Sequence, residues 1–111
     1  MKHADGPPRI NARRRLGRCY ELAGRGIVEC AAGSGWTLVH GMARVSRGSM
    51  LIGGHAWCEN VERPIAYDAV ANRYYLLKNY YALWRAKPAL RLTPKQAARR
   101  LLKEGHWGPW R

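Results

Sequence analysis

Between residues 36 and 70 the chain carries three strand-like segments, about Trp36–Val45, Met50–Glu59 and Pro64–Val70. They are separated only by Arg47-Gly48-Ser49 and by Asn60 to Arg63. A parallel crossover needs a dozen or more residues, so connections this short require an antiparallel meander. A sheet of that kind must bury at least one face, and the flanking sequence offers helices to cover it. Cys19, Leu22, Ala23, Gly26, Ile27, Cys30 and Ala31 recur with the period of one helical face, and Gly33-Ser34-Gly35 ends the run. Gly24 and Gly26 each cost that helix up to about 1 kcal/mol relative to Ala, so packing of its apolar face has to hold it. Tyr74 to Arg85 reads as a second helix, with Leu76, Tyr80, Leu83 and Trp84 at helical offsets. A third begins at Thr93-Pro94-Lys95-Gln96, which supplies an N-cap, a proline at the first helical position and a capping-box partner, and it closes at Gly105. The expected fold class is α+β: an N-terminal helix packed on a small antiparallel sheet, with further helices towards the C-terminus.

A length of 111 residues supports one core but not two. Residues 1–15 are polar, basic and proline-containing and are expected to form an arm, leaving 16–111 as a single domain. Met1 to Ile10 lacks an apolar stretch of the signal-peptide type, and no run approaches the roughly 18 apolar residues that span a bilayer. A cytoplasmic protein with no membrane partner is the expectation. The three cysteines, an odd number, fit a reducing compartment and leave room for a reactive thiol rather than a disulfide framework. Five Trp and six Tyr supply all the aromatic bulk, so several rings must find polar partners where the core meets solvent. The net charge of +13, densest at Arg13, Arg14, Arg15 and Arg18, draws polyanions, which makes nucleic acid a candidate partner beside the plainer reading of a solvated basic surface.

Within this frame Gly17-Arg18-Cys19-Tyr20-Glu21-Leu22-Ala23 places a thiol where coil turns into helix. Unpaired N–H groups and the helix dipole favour a thiolate at such a position. Cys30 falls on the apolar face of the helix and Cys58 in mid-strand, and both read as small buried hydrophobes. If the second and third strands pair about a turn centred between Val61 and Glu62, His55 and Asp68 stand directly opposite each other on one sheet face. A slip of one residue would separate them. Cys19, His55 and Asp68 then supply the nucleophile, the base and the carboxylate that orients the base, as nucleophilic acyl chemistry requires. Trp57 shares the strand face of His55 and shields its hydrogen bond from water, while the Cys19 backbone N–H and the Asn11 side chain are the candidate oxyanion donors.

Gly17-Arg18-Cys19 ahead of a helix, Gly54-His55-Ala56-Trp57 on a strand and Tyr67-Asp68 on the next resemble the core of transglutaminase-like proteins within the papain-like superfamily. The resemblance covers Gly17 to Val70. It implies a papain-like α+β core and a cysteine-dependent hydrolase or acyl transferase of the peptidase, amidase or deamidase type, with peptide or protein amides as substrates and no cofactor. Asp68-Ala69 stands where the family often has Asp-Pro, and the chain is short for a full transglutaminase, so protein crosslinking is not implied.

Other readings compete. Zinc could recruit His55 and Cys58 with Cys19 or Cys30, but positions 55 and 58 of one strand point to opposite faces, so no metal is expected. Tyr74, Tyr75, Tyr80, Tyr81 and Trp84, interleaved with Arg73, Lys78, Arg85 and Lys87, could stack bases, but they fit better as a helix packed on the sheet. His106-Trp107-Gly108-Pro109-Trp110 is too aromatic for a free tail and is expected to dock on the body. A basic nucleic-acid- or protein-binding module on the same fold, with no catalytic activity, is the alternative function.

Overall fold

The computed structural model describes residues 18–31, 33–46 and 48–110. Within them run α1 (Cys19–Val28), β1 (Trp36–Arg44), β2 (Ile52–Asn60), β3 (Ile65–Asp68), β4 (Arg73–Leu76), α2 (Leu77–Trp84), β5 (Lys87–Leu92) and α3 (Pro94–Glu104). The fold is α+β, and its five strands form one antiparallel sheet in the order β4-β3-β2-β1-β5. The expected meander is its centre, and the basic arm 1–15 lies outside the described residues.

Both outer strands differ from the sequence reading. Tyr74–Leu76, expected as the start of a helix, is extended and with Arg73 pairs with β3 from Asp68↔Arg73 to Ile65↔Leu76, so α2 begins only at Leu77. The aromatic spacing that suggests a helix there is also compatible with a strand that sets Tyr74 against Tyr67, ring centroids 4.7 Å apart. Lys87–Leu92, with no element expected, is edge strand β5. Its period of two is present, with Lys87, Ala89 and Arg91 exposed and Pro88, Leu90 and Leu92 partly buried, and an edge position tolerates Pro88. Helix α1 stops at Val28 rather than Ala31, because the Cys30 thiol and backbone N–H turn back onto the carbonyls of Gly26 and Ile27 and satisfy its last turn.

Helices cover both faces of the sheet. On one, Leu22, Ala23 and Ile27 of α1 pack on Leu38, Ala56, Cys58 and Tyr67, joined by Ala97 of α3 and by Trp110. Burial of a side chain such as Leu22 or Ile27 contributes about 1.5–3 kcal/mol, which offsets the two helix glycines. Gly24 has a further reason: a Cβ there would lie 2.6 Å from Cε3 of Trp107, so the missing side chain lets the C-terminal aromatic segment dock on α1. On the other face, Tyr80 of α2 packs with Ala86 on Val39, Trp57 and Ala66. Helix α3 carries the expected capping box between Thr93 and Gln96 and ends at Gly105, whose φ of 75° is the left-handed conformation glycine accepts readily. Among the described residues no helix is long and apolar enough to cross a membrane.

Candidate active site

Strand β3 pairs with β2 only from Cys58↔Tyr67 to Asn60↔Ile65, whereas β1 pairs with β2 along its whole length. The first half of β2 is therefore open on the side facing β3. Beside it lies a cavity of about 630 Å³ whose lining includes Cys19, Tyr20, Gly54, His55, Asp68 and Trp84. Helix α1 approaches β2 closely here because residue 54 is glycine: a Cβ would stand 2.5 Å from the Tyr20 hydroxyl oxygen.

The β2–β3 ladder centres the turn between Glu62 and Arg63, one position later than expected, because Asn60 Oδ1 accepts the N–H groups of Glu62 and Arg63 and shapes a longer turn. This corrects the register: His55 and Asp68 are not directly opposed, and the ladder extrapolates to Asp68 opposite Trp57. The slip amounts to two residues, which preserves the face, so the two side chains meet diagonally. His55 Nε2 and Asp68 Oδ2 are 2.8 Å apart. Oδ2 also accepts the Tyr80 hydroxyl at 2.6 Å, and Oδ1 accepts the N–H groups of Val70 and Ala71. Four donors thus fix one buried carboxylate. Burial favours its neutral form, but the bonds from His55, Tyr80 and Ala71 outweigh it and hold Asp68 below the ordinary carboxylate range.

Cys19 is half-buried at the first position of α1, lines the cavity with His55, and favours the charged form of the same imidazole. With Nε2 engaged by Asp68, Nδ1 is the ring nitrogen that remains for sulfur. Burial favours neutral His55, yet the hydrogen bonds and charges of Asp68 and Cys19 prevail and raise its pKa to about 9. Helix α1 has no side-chain cap: Arg18 at the N-cap position carries only donors and pairs with Glu21. Its first backbone N–H groups are left for other acceptors.

Trp57, fully buried, stacks on His55 with ring centroids 5.9 Å apart and 24° between planes. Its indole N–H donates to Glu59 Oε2 at 2.8 Å, and the Tyr81 hydroxyl donates to the same oxygen. Arg91 pairs with Glu59 Oε1 at 3.4 Å. The ring that covers the histidine is therefore itself held in place from the far side.

Of the residues singled out from sequence, Cys19, His55, Asp68 and Trp57 are brought together, and Asn11 lies outside the described residues. Cys58 is buried, and burial raises its thiol pKa well above the usual value. Cys30 is partly buried with its thiol raised as well, by burial and then by Glu29. Among the described residues no cluster of three His, Cys, Asp or Glu could hold a metal ion. Tyr80 and Glu59 are the members sequence reasoning missed. The helical spacing of Tyr80 marked it as a packing residue, and nothing local signalled that its hydroxyl would reach a carboxylate on β3.

Comparison with known proteins finds no matching family model, no matching curated protein and no matching solved structure.

Proposed function

We propose that this chain is a cysteine-dependent hydrolase or acyl transferase acting on peptide or protein amides, built on a papain-like or transglutaminase-like core. The observation that carries the reading is the convergence on one imidazole, at the wall of a cavity, of a thiol from a helix N-terminus and a carboxylate that four donors immobilise. In this reading Cys19 sulfur attacks the amide carbonyl carbon as a thiolate, forming an S–C bond and an oxyanion that the first N–H groups of α1 stabilise. The His55 imidazolium passes its Nδ1 proton to the leaving nitrogen as the C–N bond breaks, giving an amine and a thioester. Water, or an acceptor nucleophile in a transfer reaction, then attacks the thioester and gives a proton to His55, and the S–C bond breaks to restore the thiolate. Asp68 holds Nε2–H throughout, so that Nδ1 is the nitrogen that exchanges the proton. Three free thiols suit a reducing, cytoplasmic setting.

The test is alkylation of the folded protein by iodoacetamide at neutral pH, read by peptide mass mapping. Cys19 should label at least about 100-fold faster than Cys58 or Cys30, and His55→Ala should slow Cys19 specifically. A Cys19 that reacts only after denaturation would remove thiol chemistry and leave the basic binding module. That alternative predicts oligonucleotide affinity falling steeply with salt, through a slope that Ala at positions 13, 14 and 15 would flatten.

A further inference from the structure

The ring of Tyr20, the residue after Cys19, is held from several directions. It meets the His40 ring edge to face, with centroids 4.9 Å apart and planes at 73°. The C-terminal segment closes another side, where a Cβ on Gly108 would lie 3.2 Å from Tyr20 Cδ1. The hydroxyl oxygen stands over Gly54, 2.5 Å from where a Cβ of that residue would be, so a larger residue there would displace the phenol. Tyr20 and Gly54 both line the cavity of Cys19 and His55. The hydroxyls of Tyr67, Tyr80 and Tyr81 donate to Asn72, Asp68 and Glu59, whereas that of Tyr20 has no hydrogen-bond partner among the described residues. A half-buried donor fixed in place without an acceptor is free to serve whatever enters the cavity. Burial, followed by the charge of Cys19, raises its pKa, so it remains a donor at neutral pH.

The directions of approach suit different atoms of a substrate. Successive residues of a strand alternate, so position 54 points to the sheet face that α1 covers and position 55 to the face that α2 covers. Tyr20 therefore reaches this part of β2 from one side and His55 from the other, while Cys19 lines the cavity they share. Attack of sulfur on an amide carbonyl gives a tetrahedral carbon whose oxygen and leaving nitrogen point in different directions. His55 serves the nitrogen, so the oxygen needs donors placed elsewhere. Helix α1 offers its first N–H groups, and the Tyr20 hydroxyl lies on the same side of the sheet. Asn11, the side-chain donor suggested by the sequence, is outside the described residues, whereas Tyr20 is the immediate neighbour of the nucleophile.

Resting on the reading of Cys19 as nucleophile, we infer that Tyr20 is a further catalytic residue, whose hydroxyl donates a hydrogen bond to the oxyanion formed when Cys19 attacks. The phenol keeps its proton throughout, and its bond strengthens as negative charge builds on the oxygen. The experiment sets two reactions of Cys19 against each other, in the parent chain and in Tyr20→Phe, which keeps the ring that packs on His40. p-Nitrophenyl acetate acylates sulfur through an oxyanion: an S–C bond forms, and the C–O bond to p-nitrophenolate breaks. Iodoacetamide alkylates sulfur by displacing iodide from a saturated carbon, and no oxyanion forms. Release of p-nitrophenolate is corrected for that of Cys19→Ala, and alkylation is read on the Cys19 peptide by mass. Acylation should fall by about 10²-fold in Tyr20→Phe, while alkylation changes by less than about twofold. A fall in acylation of less than about tenfold, or an equal fall in both reactions, overturns the oxyanion role while leaving Cys19 as a nucleophile. Alkylation without any Cys19-dependent acylation in the parent overturns it too, because no oxyanion is then stabilised. Failure of both reagents to reach Cys19 in the folded parent removes the nucleophile, and the inference on Tyr20 falls with it.

Discussion

His40 and His55 stand on adjacent strands, where Gly41 pairs with His55, and they face opposite sides of the sheet. Their surroundings push the same side chain in opposite directions. His40 is 4% exposed, its ring stacked on Trp110 at 5.0 Å and met edge-on by Tyr20 at 4.9 Å. Among the described residues no carboxylate is bonded to it, its Nδ1 accepts the backbone N–H of Trp110, and burial, aided by the charge of Arg100, lowers its pKa to about 4. His55 is half-buried, yet Asp68 and Cys19 raise it to about 9. Burial therefore does not decide which histidine serves chemistry. A fixed carboxylate on one nitrogen is what separates His55 from His40, and the proposed chemistry rests on it. His40 instead joins the aromatic segment Trp107–Trp110 to the body, the docking expected of so many rings.

The largest expected effect would break this contrast if it failed to appear. Asp68→Asn should lower release of aniline from peptide anilides by about 10³–10⁴-fold with the fold intact. The structure gives the reason: the Val70 and Ala71 N–H groups require an oxygen at the Oδ1 position, so the amide NH₂ must face His55 and reverse its tautomer. An undiminished rate would make His55 as structural as His40.

Stability against pH sharpens the comparison. His55 is raised in the folded state, so its contribution is fully present below about pH 6.5 and lost as pH rises through about 9. The displacement corresponds to roughly 3 kcal/mol. His40 is lowered, so its neutral form contributes above about pH 6.5, and that contribution is lost as pH falls towards about 4. Denaturant unfolding across pH should show His55→Ala removing the alkaline slope and His40→Phe removing the acidic one. Ring NMR titration should place the two midpoints on opposite sides of the ordinary value.

The smallest effect concerns the support of Asp68. Tyr80→Phe removes one of its four donors and should lower unfolding free energy by about 1–3 kcal/mol, with His55 still titrating above its ordinary value. A return of His55 to that ordinary value would show that the phenol, not the carboxylate alone, separates the two histidines.

Much of this arrangement is legible in the order of residues. The short connections define the meander, the Thr93 capping box and Gly105 define α3, and parity along β2 and β3 places His55 and Asp68 on one face despite the shifted turn. What is hidden is non-local. Strand β4 is stabilised by its neighbours rather than by its own pattern, and the period of two in β5 is short and opens on Lys87-Pro88 as a loop would. The hydroxyl of Tyr80 gains its meaning only from a turn twelve residues earlier. The turn chemistry of Asn60, a side chain bonding the backbone beyond it, sets the register that hydrophobic alternation alone leaves free by steps of two.

The short β2–β3 ladder also bears on how this protein exchanges hydrogen with solvent. Along an antiparallel strand successive amides point to alternate sides, so in the first half of β2 every second N–H bonds to β1 and the others face the opening. Within one strand, slow and fast deuterium uptake should therefore alternate residue by residue. An extended chain laid along the opening would protect the fast set together and leave the slow set unchanged.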